Sequence, residues 1–302
     1  MTYRHEALLY CGADDFVSRA LPFIQGAIGG GEPILVAVEK AKIERLRWAL
    51  GSDADSVRFE DMRGLGANPA LIIPAWRDFV DGHQGRRLRG IGEPIYAGQD
   101  PDQLAESQRH ERLLNRAFGD AEDFRLLCPY DKVSLPAAVI AEAMHSHPKV
   151  SHDGIEGESA SYLPADAQAA FDELPEPSRR PAVLLFDAEN LAAVRTLAHR
   201  QAMVAKLPAD RAVDLVLAVN EVATNSLRYG GGKGTFRAWS DAEGAVCEVT
   251  DSGYIADPLV DRRKPAEDDA APRGLWFANQ VCDLVQVRSK PGATTVRLRM
   301  NR

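Results

Sequence analysis

The sequence is short of the features that mark several large classes of protein. Its four cysteines, Cys11, Cys128, Cys247 and Cys282, are scattered with no C-x-x-C pair. That spacing is neither a zinc ribbon nor a disulfide framework, and it suits a reducing compartment. No apolar run is long enough to cross a bilayer and no secretory signal stands at the start, so a cytoplasmic protein with no membrane partner is expected. Basic charge is not in excess: 36 Lys and Arg stand against 44 Asp and Glu, a formal charge of −8. A nucleic-acid binder would normally show a basic face, so none is expected as partner. The pattern G-x-x-x-x-G-K-[ST] is also absent, which excludes a working P-loop. The triple glycine at 29 to 31 precedes a strand instead of following one, and reads as a helix stop.

What remains is a chain of 302 residues, 45% hydrophobic, enough for two domains of ordinary size. Its first half alternates short apolar runs with amphipathic segments. Strands are expected at His5–Tyr10, Pro33–Val38, Val57–Glu60, Leu88–Gly92 and Phe124–Cys128. Helices are expected at Asp15–Ile28, Lys40–Leu50, Ala70–Val80, Asp102–Phe118 and Leu135–His145. Such alternation means βαβ units and a mostly parallel, doubly wound sheet. Ligands of such sheets sit beyond the carboxyl ends of the strands, here Cys11–Asp14, Glu39–Lys40, Asp61–Arg63, Glu93–Tyr96 and Pro129–Asp131.

His145, His147 and His152 follow near the end of the last helix. Two histidines two residues apart there point to different sides, and no acidic or cysteine partner lies at ligand spacing. No long dimerising helix surrounds them as a phosphoacceptor would need. They read as an exposed helix terminus, with histidines near its negative end. Residues 149–181 carry Pro164, Pro175, Pro177 and Pro181 among acidic and small residues and read as a linker, with one short helix at Asp166–Leu174.

The second half opens with a strand, Ala182–Phe186, and a helix capped by Asn190 and running to about Lys206. A further helix from about Pro208 carries Leu215, Val216, Val219, Val222 and Ala223 at helical spacing and stops at Gly230. On it Glu221 and Asn225 stand four apart, on one side, with Arg228 nearby. An amide oxygen can ligate a hard cation, and a carboxylate can take a proton or order water. A lone E-x-x-x-N is usually a solvated helix face. Here it is followed by Asp251-Ser252-Gly253 at the end of an apolar strand, by Arg273-Gly274-Leu275-Trp276 opening a helix, and by Gly292-Ala293-Thr294-Thr295 leading into the last strand. Between them Tyr254–Arg273 is charged, with Glu267-Asp268-Asp269 at its centre, and reads as a lid. Hairpins are expected at 235–250 and 283–299.

These pieces, in this order, resemble the asparagine box and the three glycine boxes of the GHKL (Bergerat) ATPases, an α/β sandwich fold. The ending R-G-L-W-F-A-N-Q-V-C-D-L-V-Q-V-R-S is similar to the anti-sigma-factor serine kinase branch. The resemblance implies ATP and Mg²⁺ as cofactors. It implies Glu221 as general base, Asn225 as metal ligand, and Asp251 as acceptor for the adenine amino group. It also implies Gly253 beside the base, Gly274 and Leu275 at phosphate, Arg228 at the nucleotide, and Thr295 in the adenine pocket. Its implied partners are a sigma factor and a STAS-type antagonist protein phosphorylated on serine, with the domain a homodimer. Two departures stand out: D-S-G-Y-I lacks the second glycine of D-x-G-x-G, and A-P-R-G-L has Pro272 where the family usually has glycine. An ATP-bound module that only sequesters its partner, and a histidine kinase, are the other readings. In the first half, H-E-A-L-L-Y, G-E-P-I-L-V-A-V, R-G-I-G-E-P-I-Y and R-L-L-C-P-Y-D resemble the MEDS sensory domain, a RecA-like α/β module that takes a small-molecule ligand. The expected organisation is a sensory domain at 1–148, a linker at 149–181 and the ATP-binding domain at 182–302.

Overall fold

A computed structural model describes residues 3–152, 155–164, 173–177, 179–265 and 273–302. The chain divides into two compact units, 1–169 and 170–302, and each has its own hydrophobic core.

The first unit is an α/β sheet protein. Its elements run β1 (Arg4–Tyr10), α1 (Gly12–Gly29), β2 (Ile34–Val38), α2 (Lys40–Leu50), β3 (Arg58–Asp61), α3 (Met62–Leu65), α4 (Ile72–Asp81), β4 (Leu88–Gly92), α5 (Pro101–Ala117), β5 (Phe124–Asp131), α6 (Ala137–Ser146), β6 (Lys149–His152) and β7 (Ile155–Glu158). The seven strands are ordered β3-β2-β4-β5-β1-β6-β7, all parallel except β7, which is antiparallel to β6. Every residue of β2 is buried, as a central strand covered on both faces requires. On one face Leu8, Tyr10, Val36 and Ile91 pack with Phe16, Ala20 and Ile24 of α1. On the other, the Trp76 indole of α4 lies over Gly90 and Gly92, where a β carbon at Gly90 would sit 2.7 Å from the ring.

The linker expected at 149–181 gives up its first part to this sheet. Lys149–His152 pairs in parallel with β1, and Ile155–Glu158 closes the edge. Their polar sequence hides them, because β7 is exposed along its length and an edge strand is held by backbone pairing alone. The short helix expected at 166–174 lies largely outside the described residues. Helix α1 begins at Gly12, three residues before its expected start, and the one-turn α3 was not expected.

The second unit is two-layered. It comprises β8 (Ala182–Asp187), α7 (Leu191–Val204), α8 (Ala209–Tyr229), β9 (Lys233–Ser240), β10 (Gly244–Asp251), α9 (Gly274–Val281), β11 (Leu284–Lys290) and β12 (Ala293–Asn301). The five strands form an antiparallel sheet ordered β11-β12-β10-β9-β8. Helices pack on one face: Val194, Ala198, Leu215, Val219 and Val222 share a core with Phe236, Cys247, Val249, Val296 and Leu298. On the other face Glu248, only 1% exposed, sits between the guanidiniums of Arg237 and Arg297. Asn190 occupies the start of α7 but does not cap it. Its side chain turns back to accept from the Asp187 N–H and donate to the Leu185 carbonyl.

Candidate functional site

In the second unit the pieces selected from sequence meet at the C-terminal half of α8. That helix buries Leu215, Val219, Val222 and Ser226 and leaves Glu221 and Asn225 half-buried on a neighbouring side. It stops at Gly230, whose N–H returns to the Ser226 carbonyl, before two glycines with φ +91° and +77°. The first residue of α9 packs against its polar side. A β carbon at Gly274 would lie 2.9 Å from Asn225 Nδ2 and 3.2 Å from Glu221 Oε2, so only glycine lets the start of α9 reach this pair. The first N–H groups of a helix have no intrahelical acceptor and carry its positive end. An amide, a carboxylate and a helix start therefore converge from widely separated parts of the chain.

Asp251, at the end of β10, is fixed by two donors: the Ser226 hydroxyl on Oδ2 and the Gly253 N–H on Oδ1 at 2.8 Å. A β carbon at Gly230 would stand 2.4 Å from Asp251 Cγ, so this glycine too is required by close approach. Thr294 Oγ1 donates to the Gly253 carbonyl at 3.2 Å and lies 2.7 Å from Ser289 Oγ, which accepts from the Ile255 N–H. These bonds tie the segment after Asp251 to the β11–β12 hairpin. Beside them is a cavity of about 290 Å³, its lining including Asn225, Asp251, Gly253, Leu275, Thr294 and Val296. It is mostly apolar with a few convergent polar groups, as small-molecule sites are.

Two of the expected residues stand elsewhere. Arg228 is exposed and does not line the cavity. Thr295 faces away from it, with its hydroxyl 3.3 Å from Thr250 Oγ1; the threonine at the cavity is Thr294. Strand alternation is the reason. Val296, Leu298 and Met300 all enter the helix-side core, so Thr294 shares their face, and that apolar pattern was legible in the sequence. Glu267-Asp268-Asp269 and Pro272 lie outside the described residues.

In the first unit, all five loops at the carboxyl ends of the strands take part in contacts there. Lys42 Nζ donates to both oxygens of Glu93, at 2.5 and 2.6 Å, and the Tyr10 hydroxyl donates to the same carboxylate. Burial pushes the Glu93 carboxyl up, against the pull of Lys42 and Tyr10. Arg63 pairs with Glu39 and stacks on Tyr96, 3.8 Å from the ring centre. Asp131 accepts the Gly12 N–H. The lysine here is neutralised by a buried glutamate, so this end of the sheet is an ion-pair network and not a phosphate cradle.

The amino end of the same sheet holds what the sequence reading passed over. A cavity of about 480 Å³ is lined by Arg4, His5, Arg89, Asn115, Arg125 and Lys149 among others. Behind it His147, expected at an exposed terminus, is wholly buried, and so is His5. Both reach Glu111 Oε2, at 3.2 and 3.1 Å, and His5 Nε2 is 3.3 Å from Cys128 Sγ. Burial and the neighbouring His147 bring His5 down to about 4, and burial pushes the Cys128 thiol up. The acid and thiol absent at ligand spacing come from α5 and β5. His145 and His152 stay outside this group, His145 beside Glu142 and His152 beside Lys132.

Comparison with known proteins agrees with this division. Residues 4–148 match the family model of the MEDS domain (methanogen/methylotroph, DcmR sensory domain), and residues 184–300 match the histidine kinase-like ATPase domain. The chain is thus a two-domain protein, a MEDS sensory domain followed by a histidine kinase-like, ATP-binding domain. No curated protein matches it. Among solved structures it is similar to an isolated ATPase domain, with 9% identity, a TM-score of 0.33, and coverage of 50% of this chain and 69% of that one. It is also similar to the Acinetobacter baumannii histidine kinase AdeS, with 14% identity, a TM-score of 0.24, and coverage of 41% and 68% respectively. Among the described residues, no helix is long and apolar enough to cross a membrane.

Proposed function

We propose that the C-terminal domain is an ATP- and Mg²⁺-dependent protein serine kinase of the anti-sigma type, and that the N-terminal domain switches it in response to a small molecule. The observation that carries the reading is the meeting of Glu221, Asn225 and Gly274 beside the Asp251 cavity. The residues fit the nucleotide. Gly230, Gly253 and Gly274 keep open space that a β carbon would fill. Asp251 is a fixed acceptor for an amino group, and an amine-free base would leave it unpaired at a cost of about 1–3 kcal/mol. Bound ATP and Mg²⁺ would supply the transferable phosphoryl group. Asn225 would hold the metal, Gly274 and Leu275 would present N–H groups to phosphate, and Thr294 takes the place expected of Thr295. Glu221 is the group that takes the proton of a serine hydroxyl.

The partners in this reading are a sigma factor and a STAS-type antagonist protein, met in the cytoplasm by a homodimer. A sequestering module that binds ATP without transfer is the second reading, favoured by Tyr254 and Ile255 following Gly253 where the family has a further glycine. Calorimetry with ATP, with and without Mg²⁺, tests the site. Binding should require Mg²⁺ and weaken at least about tenfold in Asn225→Ala, a loss of about 1.4 kcal/mol or more. Absence of binding to wild type would sink both readings. Glu221→Gln then separates them: retained affinity with abolished transfer to a STAS-type protein supports the kinase. Wild type that binds ATP but transfers nothing supports sequestration.

A further inference from the structure

We propose that His5, Glu111, Cys128 and His147 form a zinc site inside the sensory domain. The four side chains come from β1, α5, β5 and the residue after α6, and their ligand atoms all lie within 4.8 Å of one another. None is more than 2% exposed.

The outer hydrogen bonds fix which nitrogen of each imidazole faces inward. The Asn115 amide donates through Nδ2 to the Ser146 carbonyl at 2.8 Å, which turns Oδ1 toward His5 Nδ1 at 3.2 Å. His147 Nδ1 lies 2.8 Å from the Ala143 carbonyl. A carbonyl oxygen only accepts, so both Nδ1 atoms carry the proton. Each neutral ring then presents the bare lone pair of Nε2. Both lone pairs aim at Glu111 Oε2, at 3.1 and 3.2 Å, and a lone pair facing a carboxylate oxygen is repulsive unless a cation lies between. His147 Nε2 and Glu111 Oε1 are buried without a hydrogen bond, a costly state for polar atoms in a dry interior. An N–H bonded outward to a carbonyl while Nε2 points inward is the arrangement that orients metal-bound histidine.

Charge and size agree. Doubly protonating both rings instead would leave one carboxylate against two buried imidazolium ions, an unbalanced charge. A divalent ion with one carboxylate and one thiolate is neutral, and a metal deprotonates a coordinating thiol outright. Two nitrogens, a sulfur and an oxygen make a donor set suited to tetrahedral zinc, whose ligands stand roughly 3.3–3.6 Å apart at bond lengths of about 2.0–2.3 Å. The observed separations of 3.1 to 3.3 Å are close to that edge. With four protein ligands the site is closed, as structural zinc sites are. It joins the first strand to the far end of the domain, and the cavity at the amino end of the sheet gives the ion a way in past His5 and Asn115.

Full-length protein stripped with a chelator and titrated with Co²⁺ tests the assignment. The expected result is about one Co²⁺ per chain, with the intense visible bands of tetrahedral cobalt and a near-ultraviolet thiolate-to-cobalt band, all displaced by Zn²⁺. Cys128→Ser should remove the near-ultraviolet band, and Glu111→Gln should weaken Co²⁺ binding by tenfold or more, with far-ultraviolet circular dichroism unchanged. A folded protein that gives no tetrahedral spectrum, or a thiolate band that survives Cys128→Ser, overturns the proposal. Should the variants not fold, zinc-edge X-ray absorption on wild type decides: one sulfur and three nitrogen or oxygen neighbours support the site, and any other shell, or the absence of stoichiometric zinc, refutes it.

Discussion

At the scale of single residues, the nucleotide site depends on glycines that are there for different physical reasons. Gly230 is required by contact: its absent β carbon would overlap the Asp251 carboxyl group at 2.4 Å. Gly232 is required by backbone conformation alone, with φ +77° and open space around it. The two substitutions to alanine should therefore separate. Gly230→Ala must displace Asp251, and is expected to lower ATP affinity at least about tenfold while costing about 1–3 kcal/mol of stability. Gly232→Ala should cost about 1–2 kcal/mol of backbone strain and leave affinity unchanged. Calorimetry and urea denaturation of both variants measure the two quantities, and equal affinity losses would refute the distinction. Ser226 adds a subtler case. Its hydroxyl aims Asp251, and a serine on the apolar stripe of a helix gives no sequence-level hint of that duty.

At the scale of elements, what the sequence showed depended on whether partners were close along the chain. β2 reads as a strand because all its side chains are apolar, and α8 because its apolar residues recur along one stripe. The Glu221–Asn225 pair is legible for the same reason, since four residues make one turn. β6 and β7 were not legible, because backbone pairing to β1 holds them and backbone pairing leaves no side-chain pattern. The group at His5, Glu111, Cys128 and His147 draws on separate elements, so no spacing rule finds it. Gly90 and Gly92 are a further case: they look like strand breakers, yet each makes room for Trp76, which is 1% exposed. Trp76→Ala should destabilise the sensory unit by about 3–5 kcal/mol. Gly90→Val should destabilise it comparably by driving the indole off the sheet. Denaturation midpoints check both, and a Gly90→Val protein as stable as wild type would show that the indole has room to move.

At the scale of the whole molecule, the two cores carry different cysteines and different ligands, and both can be followed separately. Cys11 is exposed while Cys128, Cys247 and Cys282 are buried, and burial raises the Cys247 and Cys282 thiols further out of reactive range. A thiol reagent should titrate one cysteine in the native chain and four in denaturant; more than one fast thiol would mean that a core opens. Nucleotide gives the second handle. At a free concentration of a hundred times Kd, ATP with Mg²⁺ should stabilise the unit that binds it by about 2.7 kcal/mol. That slows the best-protected amides of α8, β10 and β12 about a hundredfold in hydrogen exchange. Coupling between two sites is reciprocal. If the sensory domain sets nucleotide affinity, ATP must also alter protection within residues 4–148, by about tenfold for every 1.4 kcal/mol of coupling. The expected result is strong slowing in the ATPase core together with a smaller, measurable change in the sensory core. A sensory core whose amides ignore ATP altogether would place the control of this protein at a step other than nucleotide binding.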